Sequence, residues 1–272
     1  MKKVIIVVPV YKDSMNINEE QSFNRLTSVL SSYEICIVTY KQLDISLYLK
    51  KLKECGVKYN VEYFHQAYFK GVYSYNFLTL SKCFYKRFRD YNYMYIYQLD
   101  VYAFRDELLK WCEQGYDYIG APVFEKKLYD FEKDMYYNGG ASLRNIEHFL
   151  KAYNVDWLVI YVKLISRYLP SNPILRFVKQ LITLIHGIMA MMSVPIPLSW
   201  FKAPHEDILW SCIPTFTYPN EAVAASFAFE KSPSDMFLKY KKLPFCCHAW
   251  QKFEYNEFWK KYIPIKNLTD KQ

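Results

Sequence analysis

Apolar and polar residues follow a regular pattern in the first part of the chain, in which predicted strands are separated by predicted helices. The run from Val4 to Val10 is continuously apolar and rich in β-branched residues, which is typical of a strand buried on both faces. Apolar residues then recur at helical spacing over 18–30, with Asn18 as the expected N-cap. Further strands are predicted at 34–40 and 59–64, with a helix between them. This order predicts an α/β fold in which helices cover a mostly parallel sheet.

The same alternation continues toward the middle of the chain. The segment 75–89 is predicted to be a helix, and an apolar strand over 93–100 ends in the carboxylate of Asp100. A strand over 116–123 follows, and the sequence Asn-Gly-Gly-Ala-Ser-Leu-Arg at 138–144 is predicted to open another helix. Ligands bind at the carboxyl ends of strands in open parallel sheets, so Asp100 is expected at the ligand-binding edge. The paired glycines would let the backbone approach a ligand closely.

Residues 157–204 differ from the rest of the chain, because they include five basic residues and no Asp or Glu. The sequence 170–173, Pro-Ser-Asn-Pro, divides this stretch into two predicted helices. One side of the second helix is polar and consists of Arg176, Lys179, Gln180, Thr183 and His186. Its uncharged run over 180–194 is shorter than the roughly 20 residues that span a bilayer, so we expect a helix that lies on an anionic membrane through 157–200. A buried helical hairpin or a dimer contact is the alternative.

Charge and cysteine content narrow the range of partners. The formal net charge of +8 indicates an anionic partner, such as a nucleotide diphosphate or an acidic membrane surface. Nucleic acid is disfavoured, because the sequence has no zinc-finger spacing, helix-turn-helix or basic-aromatic RNA-binding pattern. The seven cysteines are odd in number and include no CxxC pair, which favours a reducing, cytoplasmic compartment over a disulfide framework. The first apolar run is too short for a signal anchor.

Two groups of polar residues are candidates for chemistry. Asp100 and His248 together would leave several positions open on Mg²⁺ or Mn²⁺, which suits an ion that bridges to phosphates. Singly, an Asp after a strand is more often a turn cap, and a His among aromatic residues is more often part of a core. Glu206 and Asp207 open a helix, where their charge complements the helix dipole. One of them could also remove a proton from an acceptor hydroxyl.

Four motifs follow one another in chain order. They are Gln98-Leu99-Asp100, Asn138-Gly139-Gly140, His205-Glu206-Asp207 and Cys247-His248-Ala249-Trp250. This order resembles the GT-A glycosyltransferases, whose members carry a DxD motif, a glycine-containing loop, an xED motif and a C-terminal metal-binding His. Together with 97–100 and 118–122, the motifs also look like a sparsely characterised bacterial family found among polysaccharide-synthesis genes. The resemblance covers about residues 4–260, apart from 157–204.

The resemblance implies a single Rossmann-like GT-A domain with a helical insertion. Residues 1–156 would form the nucleotide-sugar half, 157–204 the insertion, and 205–272 the acceptor side. Asp207 would then be the catalytic base, and Glu206 would support or orient the acceptor.

The resemblance also implies a set of donor-binding residues. Asp100 and His248 would bind a divalent metal, either Mn²⁺ or Mg²⁺. The other residues expected to bind or lie near the donor are Tyr11, Tyr75, Asn76, Gln98, Gly139 and Gly140. Gln98 stands where the first Asp of the DxD motif is usual, so the contact made there would be neutral or absent.

By the same resemblance, the protein would transfer a sugar from a nucleotide diphosphate, a UDP-sugar, to a hydroxyl of a surface glycan or lipid-linked oligosaccharide. The xED-like motif implies inversion at the anomeric carbon. The insertion over 157–204 predicts a peripheral position on the inner face of the plasma membrane, where lipid-linked acceptors reside. Two alternatives remain. A nucleotidyltransferase would show a Gly-rich basic signature near the first strand, which 8–12 lacks, and a non-catalytic membrane-associated scaffold would need none of the four motifs together.

Overall fold

The computed structural model describes residues 2–128, 133–166, 170–194 and 203–265. The strands in this part of the chain are β1 (Lys2–Pro9), β2 (Ile35–Thr39), β3 (Tyr59–Tyr63), β4 (Tyr91–Tyr97), β5 (Val101–Ala103), β6 (Tyr118–Leu128), β7 (Lys133–Asn145), β8 (Ala228–Phe229) and β9 (Cys246–His248). The helices are α1 (Ile17–Val29), α2 (Ser46–Glu54), α3 (Val72–Leu80), α4 (Lys82–Lys86), α5 (Leu108–Glu113), α6 (Ile146–Lys151), α7 (Val155–Ser166), α8 (Pro173–Met192), α9 (Glu206–Ser211), α10 (Glu221–Phe227) and α11 (Pro233–Tyr240).

A six-stranded sheet in the order β3-β2-β1-β4-β7-β6 forms the centre of the domain. β1 pairs in parallel with β2 and β4, and β2 pairs in parallel with β3. Side chains of β1 alternate between two cores, with Ile5 and Val7 on one side and Ile6 and Val8 on the other. Burial on both sides explains why this strand is apolar without interruption, and it confirms the α/β fold expected from the sequence.

The sequence 138–144 belongs to β7, and the helix predicted to open there is wrong. β7 runs antiparallel to both β4 and β6. Ala141 and Leu143 pack into one core, and the polar residues between and after them occupy the opposite face. The helix α6 begins only at Ile146, with Asn145 accepting a hydrogen bond from the His148 N–H. The alternation of apolar and polar residues after the glycines, which is typical of a strand, was therefore the pattern that indicated β7.

Three other boundaries differ from the prediction. The N-cap of α1 is Asn16, which accepts from the N–H groups at the helix start, and Asn18 lies inside the helix. The helix predicted over 75–89 is divided into α3 and α4. β4 ends at Tyr97, so Asp100 lies in the turn that leads to β5 and not at the last position of the strand. That turn, which contains Asp100, connects the central sheet to a second, three-stranded sheet in the order β5-β9-β8.

The basic stretch forms the two predicted helices, α7 and α8, which pack against each other. Residues 167–169 and 195–202 of this stretch, with two of its five basic positions, lie outside the described residues. Trp157 and Tyr161 of α7 are completely buried in the main core. Thr183 and His186, which belong to the polar side predicted for α8, are also buried, so the later part of that side faces the domain.

Candidate functional site

All ten site residues predicted from the sequence line a single cavity of about 550 Å³. These residues are Tyr11, Tyr75, Asn76, Gln98, Asp100, Gly139, Gly140, Glu206, Asp207 and His248. The cavity lies beyond the carboxyl ends of β1 and β4, where an open parallel sheet binds its ligands. The fold thus brings together residues from both ends of the chain.

His248 is the centre of a polar cluster on one side of the cavity. Its Nε2 atom lies 3.2 Å from Asp100 Oδ1 and 3.4 Å from Gln98 Oε1. Its Nδ1 atom lies 3.5 Å from Glu230 Oε1. The pairing of β5 with β9 holds the cluster together, because it aligns Val101, directly after Asp100, with His248.

The two carboxylates determine the charge of His248. Burial lowers the pKa of this imidazole, but Asp100 and Glu230 outweigh burial and raise the pKa to about 10. Burial likewise raises the pKa of Asp100, whereas His248 and the nearby Lys252 outweigh it and bring the pKa below its usual value. At neutral pH the cluster therefore contains an imidazolium between carboxylates.

Glu230 was not predicted from the sequence, and it is expected to hold His248 in place. Glu230→Gln removes a carboxylate from Nδ1, so the pKa of His248 should fall from about 10. Titration of the His248 ring protons by NMR measures this shift. Glu221→Gln is the matched control, because Glu221 pairs with Lys239 at the surface. An unchanged His248 titration in Glu230→Gln would contradict this positioning role.

Glu206 lies on the other side of the cavity and is tied to a buried arginine. Its Oε1 atom lies 2.9 Å from Nη2 of Arg144, whose side chain is fully buried. Arg144 also donates to the hydroxyl of Tyr85 at 2.8 Å and to Ser142 Oγ at 3.0 Å. The second carboxylate oxygen, Oε2, is buried without a hydrogen-bond partner among the described residues. That oxygen is available to accept a hydrogen bond from a ligand hydroxyl at the cavity wall.

Asp207 follows Glu206 at the start of α9 and also lines the cavity. Burial and the neighbouring charge of Glu206 raise its pKa to about 7, outweighing the hydrogen bond that it accepts from the Ile208 N–H. A carboxylate with this pKa is a stronger base than an ordinary Asp and is still ionised in a large fraction of molecules at neutral pH. It is the side chain in the cavity best suited to accept a proton.

Gly139 and Gly140 lie between these two clusters, where there is little room for a side chain. A Cβ atom on Gly139 would collide with Glu206 and lie 2.9 Å from Arg144 Nη2. A Cβ atom on Gly140 would collide with His248 and lie 2.7 Å from Gln98 Oε1. Both contacts are closer than a Cβ atom permits, so a side chain at either position would displace Glu206 or His248 from the places described above.

A β-bulge places the glycines in the cavity wall. In the pairing of β6 with β7, Gly120 aligns with Ser142 and Pro122 aligns with Tyr137, so 138–141 lie opposite one residue of β6. Such bulges redirect backbone and side chains next to active sites.

The polar cluster suits a divalent cation that is shared with a ligand. Asp100 Oδ1 and Gln98 Oε1 both lie near Nε2 of His248, and once a cation displaces the proton from this imidazole the three atoms are oxygen and nitrogen donors of the kind that Mn²⁺ and Mg²⁺ accept. In the described residues, no group of three His, Cys, Asp or Glu side chains is arranged to hold a metal ion. A metal here would therefore depend on further oxygen donors from its ligand, such as phosphates.

Other cavity residues were missed in the sequence. Lys12, Gln251 and Lys252 also line the wall. Lys252 was recognisable as a basic residue four positions after His248, and Arg144 as a charged residue in an apolar-polar alternation. Glu230 had no local signal, because its role depends on a contact between two short strands distant from Asp100 in the chain.

The fold is that of the GT-A glycosyltransferases. The galactosyltransferase LgtC, solved with donor and acceptor sugar analogs, matches with a TM-score of 0.51 at 12% identity, over 90% of this chain and 86% of that chain. The apo structure of the bifunctional glycosyltransferase WbbM matches with a TM-score of 0.51 at 11% identity, over 97% of this chain and 50% of that chain. Core-mannan synthase A from Aspergillus fumigatus, in an Mn/GDP form, has a TM-score of 0.46 at 10% identity, over 78% of this chain and 70% of that chain. The first two matches confirm the expected GT-A architecture.

The chain itself belongs to the family DUF5672, described as a protein of unknown function, whose profile matches residues 58–248. That range begins just before β3 and ends at His248. It contains the first three motifs completely and the fourth motif, at 247–250, as far as His248. No curated protein matches the chain.

Proposed function

We propose that this protein is a glycosyltransferase that moves a sugar from a nucleotide diphosphate, a UDP-sugar, to a hydroxyl of a surface glycan or lipid-linked oligosaccharide. The observation that carries the proposal is the placement of two distinct clusters on either side of one glycine bulge. Asp207 and Glu206 stand on one side, and Asp100 and His248 stand on the other. A proton acceptor and a phosphate-binding group facing one cavity are what in-line sugar transfer requires.

The acceptor side contains the proposed proton transfer. Asp207, with its pKa of about 7, takes the proton from the acceptor hydroxyl as that oxygen attacks the anomeric carbon. Glu206, which is held by Arg144, accepts a hydrogen bond at Oε2 and so orients the sugar. Attack from this side while the diphosphate leaves on the other inverts the anomeric carbon. Analysis of the product anomer by NMR tests the stereochemistry.

The donor side binds the leaving group. Asp100 and His248 would hold Mn²⁺ or Mg²⁺, and the ion would stabilise the charge that builds on the departing diphosphate. Lys252 lies on the same wall and adds positive charge near the phosphates. Tyr11, which is 61% exposed, stands at the cavity edge, where its ring can contact the nucleotide.

A thermal-shift titration with UDP, with and without Mn²⁺, tests donor binding. At about 100 Kd a ligand stabilises the folded state by roughly 2.7 kcal/mol, which corresponds to a shift of several degrees for a protein of this size. We expect a Mn²⁺-dependent shift that is lost in Asp100→Ala, because this substitution removes the carboxylate beside His248.

Asp90→Ala is the matched control, because Asp90 is exposed and does not line the cavity. A shift that does not need Mn²⁺ would support the nucleotide site and contradict the proposed role of a metal ion in it. No shift with any nucleotide would contradict the transferase and favour the scaffold, and turnover of a nucleoside triphosphate would indicate a nucleotidyltransferase.

A further inference from the structure

The helix α8 leaves a long apolar face exposed to solvent. Six side chains, spaced three or four positions apart, define what we name the α8 face: Ile174, Phe177, Leu181, Ile185, Ile188 and Met192. Each of them is at least 39% exposed. The helix is 20 residues long and by length and composition is apolar enough to cross a membrane. A continuous apolar surface of this kind marks an interaction site.

The opposite side of α8 is fixed to the domain, which excludes a helix surrounded by lipid. Thr183 and His186 are buried there, and the His186 ring stacks on Phe77 with ring centroids 4.1 Å apart. A Cβ atom on Gly187 would lie 3.1 Å from Cδ1 of Tyr161 in α7, so the two helices are in close contact. From Thr183 onward the helix is bound along one side and apolar along the other, which is typical of a helix that lies flat on a surface and does not span it.

The charge of α8 selects the surface. The helix carries Arg176 and Lys179 and has no Asp or Glu. Both basic residues share the side of Thr183 and His186, opposite the α8 face, and Arg176 is exposed where the first turns extend beyond the domain. Basic residues on the polar side and large apolar residues on the other are the pattern of interfacial helices on anionic lipid.

We propose that the α8 face lies in the interface of an anionic membrane and thereby brings the cavity to a lipid-linked acceptor. The acceptor part rests on the proposed function, whereas the membrane part does not. Phe77, on which α8 rests, belongs to α3, the helix that places Tyr75 and Asn76 in the cavity wall. The α8 face and the cavity are thus separated by α8 itself and by α3. An acceptor whose lipid remains in the membrane would need to extend its sugar past these two helices.

Co-sedimentation of the full chain with vesicles tests the membrane part. We expect binding to vesicles of phosphatidylcholine with phosphatidylglycerol and weaker binding to phosphatidylcholine alone. The triple variant Phe177→Gln/Leu181→Gln/Ile185→Gln should lower the partition coefficient about tenfold or more, because three large apolar side chains no longer enter the acyl boundary. Its side chains are exposed, so the fold should remain intact.

The matched control changes three exposed leucines elsewhere, Leu47→Gln/Leu109→Gln/Leu238→Gln, which are 38%, 41% and 62% exposed. Their loss should leave vesicle binding unchanged, and Arg176→Gln should reduce the preference for anionic vesicles. Equal loss in the control triple, or no vesicle binding by the wild type, would overturn the proposal.

Light scattering separates the membrane from a second copy of the chain. A concentration-dependent dimer that the Phe177, Leu181 and Ile185 variant abolishes would show that the protein covers its own α8 face, and would overturn the proposal. UDP binding is measured in the same samples. Vesicle binding without UDP binding would support the membrane surface and contradict the proposed transferase. UDP binding without vesicle binding would support the proposed transferase and overturn the membrane proposal.

Discussion

Asp207→Asn is expected to reduce sugar transfer by about 10²- to 10⁴-fold while UDP binding remains nearly unchanged. Asparagine keeps the oxygen that accepts the Ile208 N–H at 2.9 Å, so α9 should begin as before. It cannot take up a proton, so the acceptor hydroxyl would have to attack without a base. Initial rates of UDP release from the donor sugar, together with UDP affinity by calorimetry, measure both parts. Wild-type turnover would remove Asp207 from the mechanism.

The control for this variant is Asp235→Asn. Asp235 also lies in the first turn of a helix, α11, but it does not line the cavity. Both substitutions remove the same charge from a helix N-terminus, so a loss that came only from the helix dipole would appear in both. We expect full activity in Asp235→Asn.

The raised pKa of Asp207 also sets the expected pH dependence of kcat/KM and of stability. The base must be ionised, so kcat/KM of the wild type should rise with pH and level off above about pH 7. The same shift has the opposite effect on stability, because the folded protein binds this proton more tightly than the unfolded chain does. Ionised Asp207 is then a cost to folding that grows between about pH 4 and pH 7. Asp207→Asn should raise Tm at pH 8 more than at pH 4, and an equal effect at both pH values would contradict the shift.

Arg144→Met is expected to lower the free energy of unfolding by about 3–5 kcal/mol. The substitution removes the buried cation 2.9 Å from Glu206 and leaves that carboxylate buried without a partner charge. It also leaves the hydroxyl of Tyr85 without its donor. Urea unfolding followed by circular dichroism measures the loss.

Arg87→Met provides the comparison for a surface ion pair. Arg87 lies 3.2 Å from Glu62, but its side chain is 53% exposed, so the same substitution should cost only about 0–1 kcal/mol. The double variant Arg144→Met/Glu206→Gln should be less destabilised than the sum of the two single variants, because each single variant leaves one buried charge. A loss in Arg144→Met no larger than that in Arg87→Met would contradict the importance of the buried pair.

The parts of the site that the sequence could predict are those carried by local patterns. Continuous apolar runs located the buried strands, and the order of the four motifs located both clusters, because strand ends and helix starts place polar residues at one edge of the sheet. The site residues that the motifs and the resemblance to GT-A glycosyltransferases selected, from Tyr11 to His248, all line the cavity.

The parts that could not be predicted depend on contacts between distant segments. Glu230 supports His248 only because β8 and β9 are neighbours in a small second sheet. The glycines of β7 suggested the start of a helix, since glycine is common at turns, but the reason for glycine at these positions is steric. Gly139 makes room for Glu206 and Gly140 makes room for His248, and both partners come from the last third of the chain.

The bulge in β7 has a consequence for how relatives of this protein can diverge. Gly140 accepts a hydrogen bond from the Gln98 N–H at 3.0 Å, and Ser142 remains in register with β4, so the backbone at 138–141 is held on the side of β4. Because Gly139 lies against Glu206 and Gly140 lies against His248, this stretch of main chain fixes the gap between the two clusters. Under the proposed function, substitutions at Tyr75 and Asn76 would reshape the pocket for another sugar without changing that gap, and we expect relatives to differ in donor while they share this arrangement.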